Sequence, residues 1–249
     1  MKDFIKTLSP ILFQAGSLLR EFYAQHVKMS LKKDGSPVTD ADIALSDFLI
    51  ETLEKLYPEI PVVSEERLIS VKGKRLFWML DPLDGTRQFL QKTDNFSINL
   101  ALIEDKKPVL GFIMIPMQEK LFVGCKREGI SYEEDKNSFL KTLKCKKPSS
   151  SLKLLLGTHK ESHEQIIGYI ESFKIIKTDF IGSAIKFCLM AQGEYDLYLR
   201  TLTTGEWDTA AGQAIVEAAG GQVTCWDGSA LLYGKGDFLN SSFVVKGNW

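Results

Sequence analysis

Soft metal ligands are scarce and scattered in this sequence. The four cysteines, Cys125, Cys145, Cys188 and Cys225, form no Cys-x-x-Cys pair, and only His26, His159 and His163 accompany them. Such a supply argues against a zinc cage and predicts reduced thiols rather than a disulfide framework. An excess of one charge is equally lacking: 31 Lys and Arg stand against 32 Asp and Glu, giving a net charge of -1. With the two signs interspersed, no basic stripe exists to follow a nucleic-acid polymer, and any anionic ligand has to be caught by local groups. No apolar run approaches the roughly 18 residues of a transmembrane helix. The start, Met1-Lys2-Asp3-Phe4-Ile5, does not open an apolar core followed by a small-residue cleavage site. The expectation is a cytoplasmic protein, with peripheral contact at the inner membrane left open.

Apolar periodicity, in contrast, is plentiful. A chain of 249 residues makes one large domain or two closely packed ones, and buries roughly three quarters of the surface that it exposes when unfolded. Phe4, Ile5, Leu8, Leu12, Ala15 and Leu19 recur at helical spacing and predict a long amphipathic first helix. Lys32-Lys33-Asp34-Gly35-Ser36-Pro37 reads as a turn, after which Thr39 or Asp40 caps a second helix that Tyr57-Pro58 stops. Short apolar runs at 61–64 and 76–80 have the character of strands covered on both faces, and 96–103, 109–115 and 120–123 extend a partly antiparallel sheet. The Lys- and Ser-rich segment 141–151 reads as a connection between two subdomains, 1–145 and 146–249. Beyond it the pattern predicts a strand at 152–156, helices at 161–173 and 183–191, and a strand at 196–199. A last helix at 209–219 is closed by Gly220-Gly221.

Chemistry concentrates where an apolar strand empties into Asp81-Pro82-Leu83-Asp84-Gly85-Thr86. Pro82 fixes its own φ and Gly85 frees its own, so the chain can fold sharply and bring Asp81 and Asp84 around a hard cation, with the Leu83 carbonyl as an extra oxygen. A helix starting after Gly85 would aim the Gly85 and Thr86 amides at a phosphate. Taken alone, the motif is also ordinary turn chemistry. Further acids of the same character shift the balance: Glu65 and Glu66 close one strand, Asp42 opens a helix, and Asp208 opens the Ala-rich helix after Trp207. Strand-end and helix-start carboxylates converge where α/β folds hold ligands, and an all-oxygen set suits Mg²⁺.

Three segments, Val62-Val63-Ser64-Glu65-Glu66, Asp81 to Thr86 and Trp207-Asp208-Thr209-Ala210-Ala211-Gly212, resemble the signatures of the inositol monophosphatase superfamily in order and spacing. The stretch from Lys33 to Asp42 is similar to its amino-terminal motif. The resemblance implies an α/β fold of alternating helix and sheet layers (α+β layered), as in the sugar phosphatases. It also implies two or three Mg²⁺ ions per site. One would be held by Glu65, Asp81 and the Leu83 carbonyl, a second by Asp81, Asp84 and Asp208, with a weaker third near Glu65. Asp42 and Thr86 would orient the attacking water, and catalytic duty would fall on Asp42, Thr86 and Glu65.

The second half, with Gly182-Ser183-Ala184-Ile185-Lys186-Phe187-Cys188 and Asp196-x-Tyr198-x-Arg200, is similar to the 3′(2′),5′-bisphosphate nucleotidases of the CysQ branch. By that likeness Ser183, Lys186 and Arg200, with His159 contributing, would meet a nucleotide's second phosphate or ribose. Glu65, Leu83, Asp84, Gly85, Thr86 and Asp208 would face the phosphate that is cut. The implied substrate is adenosine 3′,5′-bisphosphate, and with it the sulfated relative 3′-phosphoadenylyl sulfate; lithium inhibition is implied as well. The branch leaves monomer and homodimer equally open. This chain departs from the branch at Gln88, in the short loop from Arg67 to Arg75 and at Gly157-Thr158-His159. Two alternatives stand beside the nucleotidase: an inositol monophosphatase, and a non-catalytic protein that binds Mg²⁺ or nucleotide.

Overall fold

The computed structural model describes residues 1–25, 27–32, 35–158 and 161–249. Helix α1 (Lys2–Ala24) and helix α2 (Asp40–Leu56) flank a short hairpin of β1 (Met29–Leu31) and β2 (Pro37–Thr39). Thr39, not Asp40, is the α2 cap: its backbone N–H and hydroxyl both donate to Asp42 Oδ2, at 2.7 and 2.6 Å. This capping box fixes the first turn, and with it the Asp42 carboxylate.

A seven-stranded sheet follows. Its members are β3 (Val62–Ser64), β4 (Leu76–Asp84), β5 (Ser97–Glu104), β6 (Lys107–Ile115), β7 (Lys120–Cys125), β8 (Ile130–Asp135) and β9 (Leu140–Thr142), in that spatial order. β3 pairs with β4 in parallel and every other pair is antiparallel. The one-turn helix α3 (Thr86–Leu90) leaves the end of β4. A second sheet has five strands: β10 (Leu152–Leu156), β11 (Ile175–Phe180), β12 (Leu197–Arg200), β14 (Gln222–Cys225) and β16 (Phe243–Lys246), ordered β11-β10-β12-β16-β14. Between them in the chain come α4 (His163–Ile170), α5 (Ile185–Ala191), the two-residue strands β13 (Thr204–Gly205) and β15 (Leu239–Asn240), and α6 (Ala210–Ala218).

The strand periodicity of two sorts side chains into layers. Trp78 and Leu80 of β4, with Leu100 and Leu102 of β5, meet α1 and α2 in one buried cluster. Phe77 and Met79, on the opposite face, join Ile215 of α6, Phe187 of α5, and Tyr198 and Val245 of the second sheet in another. The far face of that sheet, Leu154, Leu197 and Val244, covers Ile166 of α4. The layers therefore run helix, sheet, helix, sheet, helix, the alternation that the resemblance implies. Among the described residues no helix is long and apolar enough to cross a membrane.

Three of the expected elements take other bounds for identifiable reasons. The helix at 161–173 is shorter, His163–Ile170, because Ser162 caps it by accepting from the Gln165 N–H. The helix expected from Ser183 starts only at Ile185, since Ser183 sits at φ 52°, outside helical space. The strand expected at 196–199 is Leu197–Arg200, which leaves Asp196 as a buried side chain that accepts from the Lys153 N–H.

The middle helical layer lies very close to the large sheet. A Cβ added to Gly111 on β6 would stand 2.8 Å from Ala214 Cβ, and one on Gly124 of β7 would stand 2.9 Å from the Ala214 carbonyl oxygen, with backbone atoms of α6 nearer still. Gly111→Ala or Gly124→Ala is expected to cost roughly 3 kcal/mol through overpacking against backbone that cannot yield. In thermal unfolding that is a fall of roughly 6–12 °C. An unchanged melting temperature would mean that the layers slide apart freely.

Candidate functional site

Asp81, Asp84 and Asp208, the acids at the centre of this molecule, sit at or near the ends of elements. β4 runs into Asp81, where the pairing with β5 shifts register before Asp84, so Pro82 and Leu83 bulge and both carboxylates turn to the same end of the sheet. Gly85 then takes φ 94° as the cap of α3, and a side chain there would lie 2.9 Å from the Asn95 carbonyl oxygen. Asp208 arrives from the other half of the chain, immediately before Thr209, the α6 cap. One carboxylate oxygen from each of Asp81, Asp84 and Asp208 lies within 4.8 Å of the other two.

Three acids so close, one buried and two half-buried, oppose one another's ionisation. Burial raises Asp81 well above the usual carboxylate range, and Glu65, Asp84 and Asp208 push it further. Burial likewise raises Asp208, with Asp84 and Glu65 adding repulsion. For Asp84, burial outweighs the attraction of Lys186 and the hydrogen bonds that favour its charge. Those bonds are well defined: the Ala184 N–H, Asn99 Nδ2 at 3.3 Å and Ser97 Oγ at 3.4 Å all donate to Asp84 Oδ2. Asp81 Oδ1 accepts from the Leu83 N–H at 3.1 Å, whereas Asp81 Oδ2 is buried with no partner among the described residues. A buried carboxylate oxygen left without a donor amid like charges is what a hard cation would satisfy, and the all-oxygen donor set fits one.

The remaining expected residues gather around a cavity of about 300 Å³, which Glu65, Leu83, Gly85, Thr86, Ser183 and Arg200 help to line. Asp42 lies behind this wall, 1% exposed, and its Oδ1 accepts from Thr86 Oγ1 at 3.1 Å. The same hydroxyl stands 3.2 Å from the Leu83 carbonyl oxygen. Glu65 is near enough to repel Asp81, but its carboxylate is clasped by Lys32 Nζ at 2.6 Å, which also holds Glu66 at 2.6 Å. It therefore stands apart from the three-aspartate cluster. Lys186, 5% exposed, turns its ammonium to the carbonyls of Ile181 and Ser183 at 2.9 and 2.6 Å. Burial pulls it down to about 8 despite the attraction of Asp84. His159 lies outside the described residues, as do Lys33 and Asp34 of the amino-terminal motif.

Arg200 is more constrained than the sequence suggested. Its Nη1 pairs with Glu161 Oε1 at 2.8 Å, while Glu161 Oε2 accepts from the Thr201 N–H and hydroxyl at 2.8 and 2.7 Å. Gly157 closes the arrangement, because a Cβ there would stand 2.5 Å from Arg200 Nη1. Arg200 Nε is buried without a partner among the described residues, so one donor remains to be satisfied beside the cavity.

Glu161, Asn99, Ser97 and Lys32 had not been singled out as site residues. Ser97 and Asn99 did leave a signal, two polar residues at i and i+2 in an otherwise apolar central strand. Glu161 left none, since its partner is 39 residues away.

The model of the inositol monophosphatase family matches residues 1–248. The 3′(2′),5′-bisphosphate nucleotidase CysQ of Salmonella typhimurium is 36% identical over 237 residues, which span 93% of this chain and 94% of that protein. The CysQ of Haemophilus influenzae is 33% identical over 249 residues, 96% of this chain and 90% of that one. Among solved structures, CysQ from Bacteroides thetaiotaomicron matches with a TM-score of 0.82 at 27% identity, covering 96% of this chain and 94% of its own.

Proposed function

Since the chain belongs to the inositol monophosphatase family, we propose that it is a Mg²⁺-dependent phosphomonoesterase that removes the 3′-phosphate of adenosine 3′,5′-bisphosphate, giving AMP and phosphate. The choice of substrate follows its likeness to the CysQ nucleotidases. The observation that carries the chemistry is the convergence of Asp81, Asp84 and Asp208 around the unpartnered Asp81 Oδ2. In this proposal Asp81, Asp84 and Asp208 would hold one Mg²⁺, and Asp81, Glu65 and the Leu83 carbonyl another, with room for a weaker third near Glu65. When bound, such ions supply charge neutralisation for the phosphoryl group and its leaving oxygen, and make water more acidic.

The protein's own groups do the positioning. Once the Leu83 carbonyl oxygen is otherwise engaged, the Thr86 hydroxyl proton has Asp42 Oδ1 as its acceptor. The lone pairs of Thr86 Oγ1 are then turned to the cavity, where they can accept from an attacking water and fix its direction. The proton of that water has a route through the hydroxyl to Asp42, whose pKa burial raises against the opposing bonds from Thr39. To hold a cation, Glu65 would have to give up its Lys32 partner. At the other wall, Arg200 and the Ser183 hydroxyl offer donors to the 5′-phosphate or ribose, and Lys186 holds the Ser183 backbone in its left-handed conformation. In the division at residue 145, the first part would supply most acids, and the second would supply the selecting residues and Asp208. The sulfated relative 3′-phosphoadenylyl sulfate would share the same 3′-phosphate geometry.

The test is phosphate release from adenosine 3′,5′-bisphosphate, 3′-AMP, 5′-AMP, inositol 1-phosphate and fructose 1,6-bisphosphate, at fixed Mg²⁺ and with chelator. The bisphosphate nucleotide is expected to show the highest kcat/KM, and chelator to abolish release. A higher kcat/KM on inositol 1-phosphate would move the protein to the polyol phosphatases. Absence of release from all five would leave a binding protein.

A further inference from the structure

The turn that delivers Asp208, between β13 and α6, is closed on itself. The Gly205 N–H donates to Asp208 Oδ2 at 2.9 Å, and the Asp208 N–H donates back to the Gly205 carbonyl at 3.3 Å. The Glu206 carbonyl takes three donors, the Thr209 and Ala210 N–H groups at 3.2 and 3.1 Å and Thr209 Oγ1 at 3.1 Å. These bonds give the turn its shape. Where it stands relative to Asp81 and Asp84 is set by what grips it from outside.

The grip comes through the Glu206 side chain, which is 0% exposed and directed at the loop between β14 and β15. Its Oε2 accepts from the Gly234 N–H at 2.6 Å, and its Oε1 accepts from the Lys235 N–H at 3.1 Å and from Lys235 Nζ at 2.7 Å. Both oxygens of the carboxylate are thus engaged, and one ammonium balances the charge. The same loop also holds the backbone, since the Glu206 N–H donates to the Phe238 carbonyl at 2.8 Å. Just beyond it, Asn240 Nδ2 donates to Thr209 Oγ1 at 2.7 Å, and Lys235 Nζ donates to Asn240 Oδ1 at 2.8 Å.

On its other side the loop leans on the seven-stranded sheet. The Tyr233 N–H donates to the Lys106 carbonyl, in the turn between β5 and β6, at 3.1 Å. Gly234 takes φ 78°, and a Cβ there would stand 3.1 Å from Cζ of Phe77. Phe77 belongs to β4, the strand that carries Asp81. Packed contacts therefore run from β4 through Gly234 to Glu206, and on to the turn that bears Asp208. We infer that Glu206, neutralised by Lys235, is a positioning residue of the metal centre, which registers Asp208 against Asp81. Its carboxylate is committed to the loop and takes no part in the reaction. The inference rests on the cation-holding role proposed for Asp208.

Mg²⁺ titration calorimetry of the full-length protein and of Glu206→Gln is the test. Glutamine presents one oxygen and one NH₂ group, so either the Gly234 N–H or the Lys235 donors lose their acceptor. Mg²⁺ affinity should fall about tenfold, the lower end of what removing a ligand's supporting partner costs, while kcat at saturating Mg²⁺ holds. Lys235→Met, which leaves both backbone bonds to Glu206, should cost less. Asp196→Asn is the structural comparison, because Asp196 is equally buried and paired with Lys146 at 3.1 Å, but braces the start of β10. It should melt lower, as Glu206→Gln does, and yet bind Mg²⁺ like the unsubstituted protein. Unchanged Mg²⁺ affinity in Glu206→Gln overturns the inference. So does an equal loss in Asp196→Asn, which would make general destabilisation the cause. If the unsubstituted protein takes up no Mg²⁺, the metal centre and this inference fall together.

Discussion

Asp81→Asn is expected to lower kcat by at least about 10³-fold, since charge stabilisation of several kcal/mol is lost from the reaction, and yet to raise the melting temperature of the metal-free protein. The substitution is nearly isosteric, and the asparagine oxygen can still accept from the Leu83 N–H that now reaches Asp81 Oδ1. What it removes is repulsion. Asp81 and Asp208 are held well above the ordinary carboxylate range, mainly by burial. The metal-free folded state therefore retains protons that the unfolded chain has already released. Its stability must decline as pH rises from about 4, the unfolded value, towards the raised folded values, and stay low above them. Asp81→Asn takes away the share of that decline belonging to Asp81, so its melting curve with chelator should depend less on pH and lie higher near neutrality. Relief of about 1 kcal/mol corresponds to roughly 2–4 °C in a chain of this size. Saturating Mg²⁺ should reverse the order, because only the wild-type site gains the full binding energy. A variant that melts below wild type in chelator, or that keeps its turnover, contradicts the role given to this carboxylate.

Arg200→Ala is expected to reduce kcat/KM on adenosine 3′,5′-bisphosphate by roughly 10- to 150-fold, the equivalent of one charge-assisted hydrogen bond of about 1.5–3 kcal/mol. On inositol 1-phosphate, which has no second phosphate, the change should stay below about threefold. Glu161→Gln separates the presence of the guanidinium from its placement. Glutamine keeps an oxygen near Arg200 Nη1 but loses the charge that pairs with it at 2.8 Å. KM for the bisphosphate should rise while kcat holds, and the monophosphates should be indifferent. If Arg200→Ala lowers activity on all substrates alike, the residue supports the fold of this wall and does not select the substrate.

Much of the architecture could be anticipated from residues whose neighbours in sequence are also their neighbours in function. β4 and β5 were legible because apolar side chains fill both of their faces, and α2 because its apolar periodicity starts at a capping residue and stops at Tyr57-Pro58; that Thr39 rather than Asp40 is the cap follows only from its bonds with Asp42. β8 was not foreseen, since Ser131 to Asp135 is half polar and owes its strand conformation to pairing with β7 and β9. β11 is largely exposed and is held at the sheet edge by its register with β10. The late start of α5 has a similar cause: the Lys186 ammonium takes the Ser183 carbonyl, a contact that competes with helical continuation and that no propensity scale contains. In the site, Asp81, Asp84 and Asp208 announced themselves at strand ends and a helix start. The donors that hold Asp84, and the Glu161 that holds Arg200, come from elements that meet only after folding.

The narrow gap at Gly111 and Gly124 reaches beyond the core that it seals. Asp208 is carried into α6 by the same backbone that rests on those two glycines, while Asp81 belongs to the sheet they are part of. The separation of sheet and helix thus sets the distance between Asp81 and Asp208, the two acids that would share one cation in the proposed site. Enlarging a side chain anywhere along that seam, far from any phosphate, should loosen the hold on magnesium before it unfolds the protein.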